Sequence, residues 1–200
     1  MLVCTAMFCL SELLTRAGIF SLSPFGAVPT LELWFGLWPI NSDLFWPWQM
    51  VTYALLHGGV LHLFFNMLGL WMFGSELERV WGDRRYLQFM LAGTLAAALT
   101  QLALTWITRS PVPTVGISGA LYALLLGYGM LFPNRIIMPL FPPIPMKART
   151  FVIVFGALEL FLGYTDRSGI AHFAHLGGML GGFLMIRFWR RQPPFGSRRR

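Results

Sequence analysis

The chain has 200 residues, of which 56% are hydrophobic and 12% charged, a composition that excludes an ordinary water-soluble domain and indicates a membrane domain. Because a transmembrane helix needs about 20 apolar residues, the length allows about six helices joined by short loops. The net charge of +7 does not indicate nucleic-acid binding, because residues 17–78 contain no Lys or Arg while six arginines crowd the carboxyl end.

Six apolar runs predict membrane helices, numbered one to six here. In chain order they cover residues 2–20, 51–73, 86–107, 115–132, 151–164 and 170–189. Glu12 and Arg16 interrupt the first run, which indicates a short or tilted helix. We therefore expect one all-α integral membrane domain over residues 1–190, followed by a basic tail at 191–200.

Two connections between these helices have a marked composition. Residues 21–49 contain seven aromatic side chains, which favour the headgroup region, so we expect a partly folded first loop in the outer membrane interface. Residues 132–147 contain five prolines, which predicts an irregular connector on the cytoplasmic side.

Basic residues alternate between the predicted loops. Arg79, Arg84 and Arg85 follow helix two, Arg135, Lys147 and Arg149 follow helix four, and the remaining loops hold only Arg109 and Arg167. Because cytoplasmic loops are enriched in Lys and Arg, both termini and the basic tail are predicted to be cytoplasmic. Helices two, four and six then begin at the outer side.

Polar side chains in these three helices are predicted to lie at one depth. At about 1.5 Å per residue, His62, Asn66, Ser118 and His175 would all lie within about 5 to 15 Å of the outer surface. All four histidines fall within residues 57–66 and 171–178. Burying an ionisable group inside a membrane is costly unless the group is paired or functional, so these side chains form a candidate functional site.

Ser118 and His175 are the candidate nucleophile and general base, because a serine hydroxyl needs a base to take its proton. Small residues after His175 would let helix six pack closely on helix four. For the serine alone, a small-residue packing face remains the alternative. We predict a dyad rather than a triad, since Glu159 and Asp166 are placed near the outer edge, where Glu159 would be paired or hydrated.

Further residues could support the reaction. His62 and Asn66 lie one helical turn apart and, with the backbone N–H of Ser118, could donate hydrogen bonds to an oxyanion. Tyr122 could pack against the His175 imidazole and orient it. His57 and His172 are interpreted as structural or interfacial.

Three motifs together resemble the rhomboid proteases: HxxxN in helix two, GxSG opening helix four and AHxxG in helix six. The resemblance runs from Trp48 to Trp189. It implies a six-transmembrane-helix bundle with an interfacial first loop and a cavity open to the outside. One departure is Gln49 after Trp48, where many members of the family have arginine.

The resemblance also implies roles for the residues already singled out. Ser118 would be the nucleophile, His175 the base, His62, Asn66 and Ser118 the oxyanion donors, and Tyr122 the ring that orients the base. The implied activity is endopeptidase cleavage of single-span transmembrane proteins near the outer leaflet, with no cofactor or metal. We expect a multi-pass protein of the bacterial inner membrane that contacts lipid.

Two alternatives stay open. One is a catalytically inactive rhomboid-like protein that binds or escorts membrane proteins. The other is a metal site or transporter built on the histidines, which would need three or four converging donors. The natural substrate, the cleavage site and the oligomeric state do not follow from the sequence.

Overall fold

The computed structural model describes residues 1–140, 143–165 and 171–190. Its helices are α1 (Leu2–Arg16), α2 (Thr30–Phe35), α3 (Gln49–Thr52), α4 (Val60–Gly69), α5 (Ser75–Trp81), α6 (Asp83–Thr108), α7 (Ser118–Leu131), α8 (Ala148–Thr165) and α9 (His172–Trp189). A π-helical segment, Leu70–Gly74, joins α4 to α5.

Three of the described helical units are long and apolar enough to cross a membrane. They are Val60–Trp81, Asp83–Thr108 and Ala148–Thr165, while Ser118–Leu131 is a shorter apolar helix. The mainly helical architecture that the sequence predicted is therefore present, and three spans meet the criteria of length and composition.

The two unusual connections both contain short antiparallel strands. In the first loop, β1 (Phe20–Ser23) pairs with β2 (Gly26–Pro29). In the proline-rich connector, β3 (Ile136–Ile137) pairs with β4 (Met146–Lys147). The first loop is thus partly folded, and the connector is less irregular than its prolines indicated.

Helix boundaries differ from the prediction mainly at glycines. Helix two was expected to begin at residue 51, but the continuous helix begins at Val60, because a 3₁₀ turn, the extended Leu56 and the extended Gly59 separate it from α3. It also continues to Trp81 instead of ending at residue 73. His57 consequently lies before the helix.

Two other boundaries move at glycines that have a positive φ. Helix one ends at Arg16 instead of residue 20, and Gly18 follows with a φ of +73°. Helix four begins at Ser118 instead of residue 115, because Gly116 has a φ of +120°. Backbone with a positive φ of this kind is accessible mainly to glycine and cannot continue a right-handed helix.

Close glycine contacts hold α9 against α7. A Cβ atom at Gly178 would lie 2.0 Å from the carbonyl oxygen of Gly119, and one at Gly182 would lie 3.0 Å from the Cβ of Ala123. Contacts therefore advance in the same direction along both helices, so α7 and α9 are parallel. The close packing that the glycine spacing predicted is present.

The neighbouring helices run in the opposite direction. A Cβ at Gly177 would lie 2.1 Å from Thr100 Oγ1, and one at Gly181 would lie 2.5 Å from the Cβ of Ala96, so α6 is antiparallel to α9. Helix α8 is also antiparallel to α9. Gly163, near the carboxyl end of α8, packs against the ring of Phe173, near the amino end of α9. Helices α6 to α9 thus alternate in direction.

The first loop is tied together by the buried side chain of Gln49. Its Oε1 accepts hydrogen bonds from the backbone N–H of Trp38 at 3.3 Å and of Trp46 at 3.2 Å. Its Nε2 donates to the carbonyl of Leu44 at 3.0 Å. Backbone hydrogen bonds between Leu37 and Thr114 join the same loop to the segment before α7.

Candidate active site

Ser118 is the first residue of α7, directly after a tight turn. The φ of +120° at Gly116 redirects the chain into the helix. Glycine at this position also leaves room for a ring, because a Cβ there would lie 2.7 Å from Nε2 of His62. The turn therefore places the Ser118 hydroxyl and the His62 imidazole in one small region.

His175, in the second turn of α9, meets this serine. Ser118 Oγ lies 2.8 Å from His175 Nε2, a hydrogen-bond distance. The parallel packing of α7 and α9 explains the contact, because the beginnings of both helices lie at the same level. The structure thus brings together the two residues that the sequence paired.

Tyr122 lies one turn after Ser118 and covers one face of the His175 ring. The two rings stack with centroids 4.4 Å apart and an interplanar angle of 6°. The Tyr122 hydroxyl donates a hydrogen bond to Oε1 of Glu159. The ring contact expected from the sequence is present, and the bond to Glu159 was not foreseen.

Glu159 is the functional candidate that sequence reasoning missed. It was expected at the outer interface with no part in the site, yet it is only 6% exposed and its Oε2 lies 2.8 Å from His175 Nδ1. The signal was available, because Glu159 is the sole acidic residue of the apolar helix α8. The rule that marks intramembrane histidines as site candidates applies equally to this carboxylate.

His172 also contacts Glu159 and is buried, in line with the structural interpretation. Its Nδ1 lies 2.7 Å from Glu159 Oε2, and its ring is perpendicular to that of His175. The two histidines are three residues apart in α9 and so share one face of the helix. Asp166, the other carboxylate considered, lies outside the described residues.

His62 is oriented as a hydrogen-bond donor toward the serine side. Its Nδ1 accepts a bond from the backbone N–H of Gly58 at 3.4 Å. A neutral imidazole carries one proton, so that bond leaves the proton on Nε2, the atom beside Gly116. His57 is buried and meets the His62 ring edge-on at 5.1 Å between centroids.

Asn66 lies one turn further along α4 and is 3% exposed. Its Nδ2 donates to the carbonyl of His62 at 2.9 Å, which leaves the second N–H of the amide for another acceptor. Asn66, His62 and Ser118 all line one cavity. The three groups expected to donate to an oxyanion therefore face a common space.

The Rhomboid domain family model matches residues 45–192, a range that includes every site residue described above. The chain belongs to the rhomboid family. Together with the apolar helices, this membership makes the chain a membrane protein.

Named rhomboid proteases are among the relatives of this chain. The rhomboid protease GluP of Bacillus subtilis (strain 168) is 32% identical over 68% of the chain and 25% of its own length. The rhomboid protease GlpG of Pectobacterium atrosepticum is 29% identical over 90% of the chain and 61% of its own length. For GlpG of Yersinia pestis (strain Pestoides F) the identity is 30%, over 76% of the chain and 51% of its own length. The chain therefore spans between a quarter and three fifths of these relatives.

Two cavities meet at Ser118 in this rhomboid chain. The first, about 480 Å³, is bounded by the turn before α7 and by His62 and His175. The second, about 430 Å³, extends from Ser118 and Asn66 between apolar side chains of α4, the π-helical segment and α8, among them Phe65, Met72 and Phe155. The hydroxyl can thus be approached both from the pocket beside His62 and His175 and along an apolar groove.

Glu159, His172 and His175 also have the composition of a metal-binding set. One ligand atom from each lies within 4.8 Å of the others, and two histidines with a glutamate can bind zinc. No metal was expected from the sequence, and a metal site built on the histidines was left as an alternative that needs three or four converging donors; three donors converge here. Their N–O distances of 2.7 and 2.8 Å are those of direct hydrogen bonds within the cluster.

Proposed function

We propose that this chain is an intramembrane serine endopeptidase in which Ser118 is the nucleophile and His175 the general base. The observation that carries the proposal is the 2.8 Å separation of Ser118 Oγ and His175 Nε2. A nucleophile within hydrogen-bond reach of its base is the arrangement that acyl transfer requires.

The proposed reaction has two stages. His175 Nε2 takes the hydroxyl proton as Ser118 Oγ attacks the peptide carbonyl carbon, and the protonated imidazole then gives that proton to the leaving amine. Water next attacks the acyl-serine with His175 again acting as base, which releases the carboxylate product and restores the hydroxyl. His62 Nε2, the free N–H of Asn66 and the backbone N–H of Ser118 would donate to the oxyanion in both stages.

The substrate class we propose is a single-span transmembrane protein, cleaved near the outer leaflet. The apolar groove between α4 and α8 supports this, because apolar side chains of a transmembrane substrate could bind along it and reach Ser118. The named rhomboid proteases among the relatives support the same reaction class. Membrane lipid is the proposed surrounding, and nucleic acid and cofactors have no part.

The accompanying topology is also part of the proposal. It comprises a six-helix bundle over residues 1–190 with both termini in the cytoplasm of a bacterial cell. The basic tail at 191–200, on which this orientation partly depends, lies outside the described residues.

Cleavage of a fluorescent single-span substrate by purified protein in detergent tests the activity. We expect Ser118→Ala and His175→Ala each to reduce kcat by at least about 10³-fold, because members of a catalytic unit are individually indispensable. Ser75→Ala is the matched control, since its hydroxyl donates to the carbonyl of Trp71 one turn earlier in the helix. Near wild-type cleavage by either site variant would refute the assignment.

Labelling by a fluorophosphonate separates a protease from an inactive escort protein. The reagent reacts with an activated serine hydroxyl, so we expect the wild-type chain to be labelled and Ser118→Ala to remain unlabelled. A folded wild-type chain that resists the reagent would favour the escort protein.

A further inference from the structure

The buried carboxylate of Glu159 accepts hydrogen bonds from three side chains. His175 Nδ1 lies 2.8 Å and His172 Nδ1 2.7 Å from Oε2, and the Tyr122 hydroxyl bonds to Oε1. A carboxylate taken out of water is stable only when its oxygens are well satisfied, and these donors come from two neighbouring helices. Glu159 is therefore fixed in place by its partners.

This arrangement determines which nitrogen of His175 carries the proton. An ionised carboxylate can only accept hydrogen bonds, so His175 must donate to it through Nδ1. A neutral imidazole has a single ring proton, and Nε2 then presents a lone pair to Ser118 Oγ at 2.8 Å. That tautomer is the one a general base needs.

The ring is also held in orientation. Tyr122 stacks on one face at 4.4 Å, while the bonds to Ser118 and Glu159 fix the two ring nitrogens. When the imidazole takes the serine proton it becomes a cation, and a carboxylate in direct contact stabilises that charge in a region of low dielectric. Glu159 can thus act on both the orientation and the charge of His175.

We propose that Glu159 is a positioning residue that converts the Ser118–His175 pair into a Ser118–His175–Glu159 triad, with Tyr122 and His172 holding the carboxylate. The inference deepens the proposed function and rests on it. In such a triad the carboxylate keeps the imidazole in one tautomer and does not itself take the proton.

The main test compares Glu159→Gln with the wild type in the single-span cleavage assay. The amide of glutamine can donate to His175 Nδ1 and favour the wrong tautomer, so we expect kcat to fall by about 10² to 10⁴-fold with KM changed less than about twofold. Fluorophosphonate labelling of Ser118 should slow in parallel. Glu78→Gln, which changes an exposed carboxylate of α5, is the matched control and should cleave normally.

Tyr122→Phe removes one bond to Glu159 but keeps the ring against His175. We expect an intermediate loss of kcat, about 3- to 30-fold, at unchanged KM. Wild-type kcat in a folded Glu159→Gln protein would overturn the triad. The triad would also be overturned if, in every variant, activity fell only in proportion to the amount of folded protein.

A spectroscopic measurement on the wild type does not depend on any variant folding at residue 159. With ¹⁵N-labelled histidine, the His175 signals should show a proton on Nδ1 and an unprotonated Nε2, and the opposite tautomer would overturn the proposal. A chelator should leave cleavage unchanged, whereas loss of activity that zinc restores would overturn it in favour of a metal site.

The outcomes for the two proposals are distinguishable. If Ser118→Ala still cleaves, the proposed function itself fails. If Ser118→Ala is inactive but folded Glu159→Gln has wild-type kcat, only the role of Glu159 fails and the dyad expected from the sequence stands.

Discussion

At the scale of single residues, a comparison of two buried amide side chains tests whether Asn66 donates to the oxyanion. Asn66 and Gln101 each have a buried side-chain oxygen without a hydrogen-bond partner among the described residues. Asn66 lines the cavity that holds Ser118, whereas Gln101 lies in α6 and lines neither cavity at the serine. The two residues thus share an unsatisfied buried oxygen, but only Asn66 lies beside the serine.

We therefore expect Asn66→Ala to lower kcat by about 10- to 100-fold with little change in KM, because an oxyanion donor acts mainly in the transition state. Gln101→Leu should leave kcat unchanged and should not lower thermal stability, since it removes an unsatisfied buried oxygen. Steady-state cleavage and thermal unfolding in detergent measure both. Equal effects of the two substitutions on kcat would contradict a direct role for Asn66.

At the scale of elements, the sequence predicted what depends on local pattern and missed what depends on a turn or a neighbouring helix. Apolar runs located α6 and α8 to within a few residues, and the glycines of α9 indicated its close packing. The break before Val60 was missed because Gly58 and Gly59 lie inside an otherwise apolar run. Glu159 could have been marked as a candidate by its position in an apolar helix, but its contact with His175 depends on how α8 packs against α9, which spacing along the chain does not reveal.

Close contact between α7 and α9 provides a prediction for stability. Gly178→Ala would place its Cβ 2.0 Å from the carbonyl oxygen of Gly119, so the helices must separate. We expect destabilisation by about 1–3 kcal/mol or more, together with loss of cleavage, because Ser118 and His175 lie on the two separating helices. Thermal unfolding in detergent and the cleavage assay measure these effects.

Gly156→Ala in α8 is the matched control. Among the described residues, its Cβ would meet only the flexible end of Met179, at 3.4 Å. Alanine is favoured over glycine inside a helix by about 1 kcal/mol, so this variant should be as stable as the wild type or slightly more so. A Gly178→Ala protein that unfolds at the same temperature as Gly156→Ala would contradict the close packing.

Gln49 shows how the first loop can be anchored without the arginine common in the rhomboid family. Its amide accepts from Trp38 and Trp46 and donates to Leu44, and the side chain is fully buried. Arginine has no acceptor, so it could not replace the two bonds to backbone N–H groups. The departure in sequence is therefore accompanied by a different hydrogen-bonding scheme.

We expect Gln49→Arg to destabilise this protein although it installs the residue that the family resemblance leads one to expect. The change would bury a charge and leave two backbone N–H groups unsatisfied, at a cost of about 2–5 kcal/mol. Limited proteolysis within residues 21–48 and thermal unfolding should both report the loss, while Gln88→Arg on the exposed face of α6 should change neither. A stable Gln49→Arg protein with an intact loop would contradict this prediction and show that the loop can also be anchored by arginine.

At the scale of the whole molecule, helix direction and charge distribution together determine on which side of the membrane cleavage would occur. The parallel helices α7 and α9 begin at the level of Ser118, and the antiparallel α6 and α8 contribute their carboxyl-terminal halves there. Basic residues in the first turns of α6 and α8, including Arg84, Arg85 and Arg149, lie at the opposite end of the bundle. Because basic loops stay in the cytoplasm, the site is expected near the outer leaflet.

Reporter fusions test this orientation without reference to catalysis. Green fluorescent protein fused after residue 200 should fluoresce, and alkaline phosphatase fused at Arg109, between α6 and α7, should be active, since these two reporters function on opposite sides of the bacterial membrane. A fluorescent fusion at Arg109 with an active phosphatase at the carboxyl end would invert the topology. The contact between Ser118 and His175 would survive such an inversion, but the serine would then open toward the cytoplasm and the proposed site of cleavage would move to the inner leaflet.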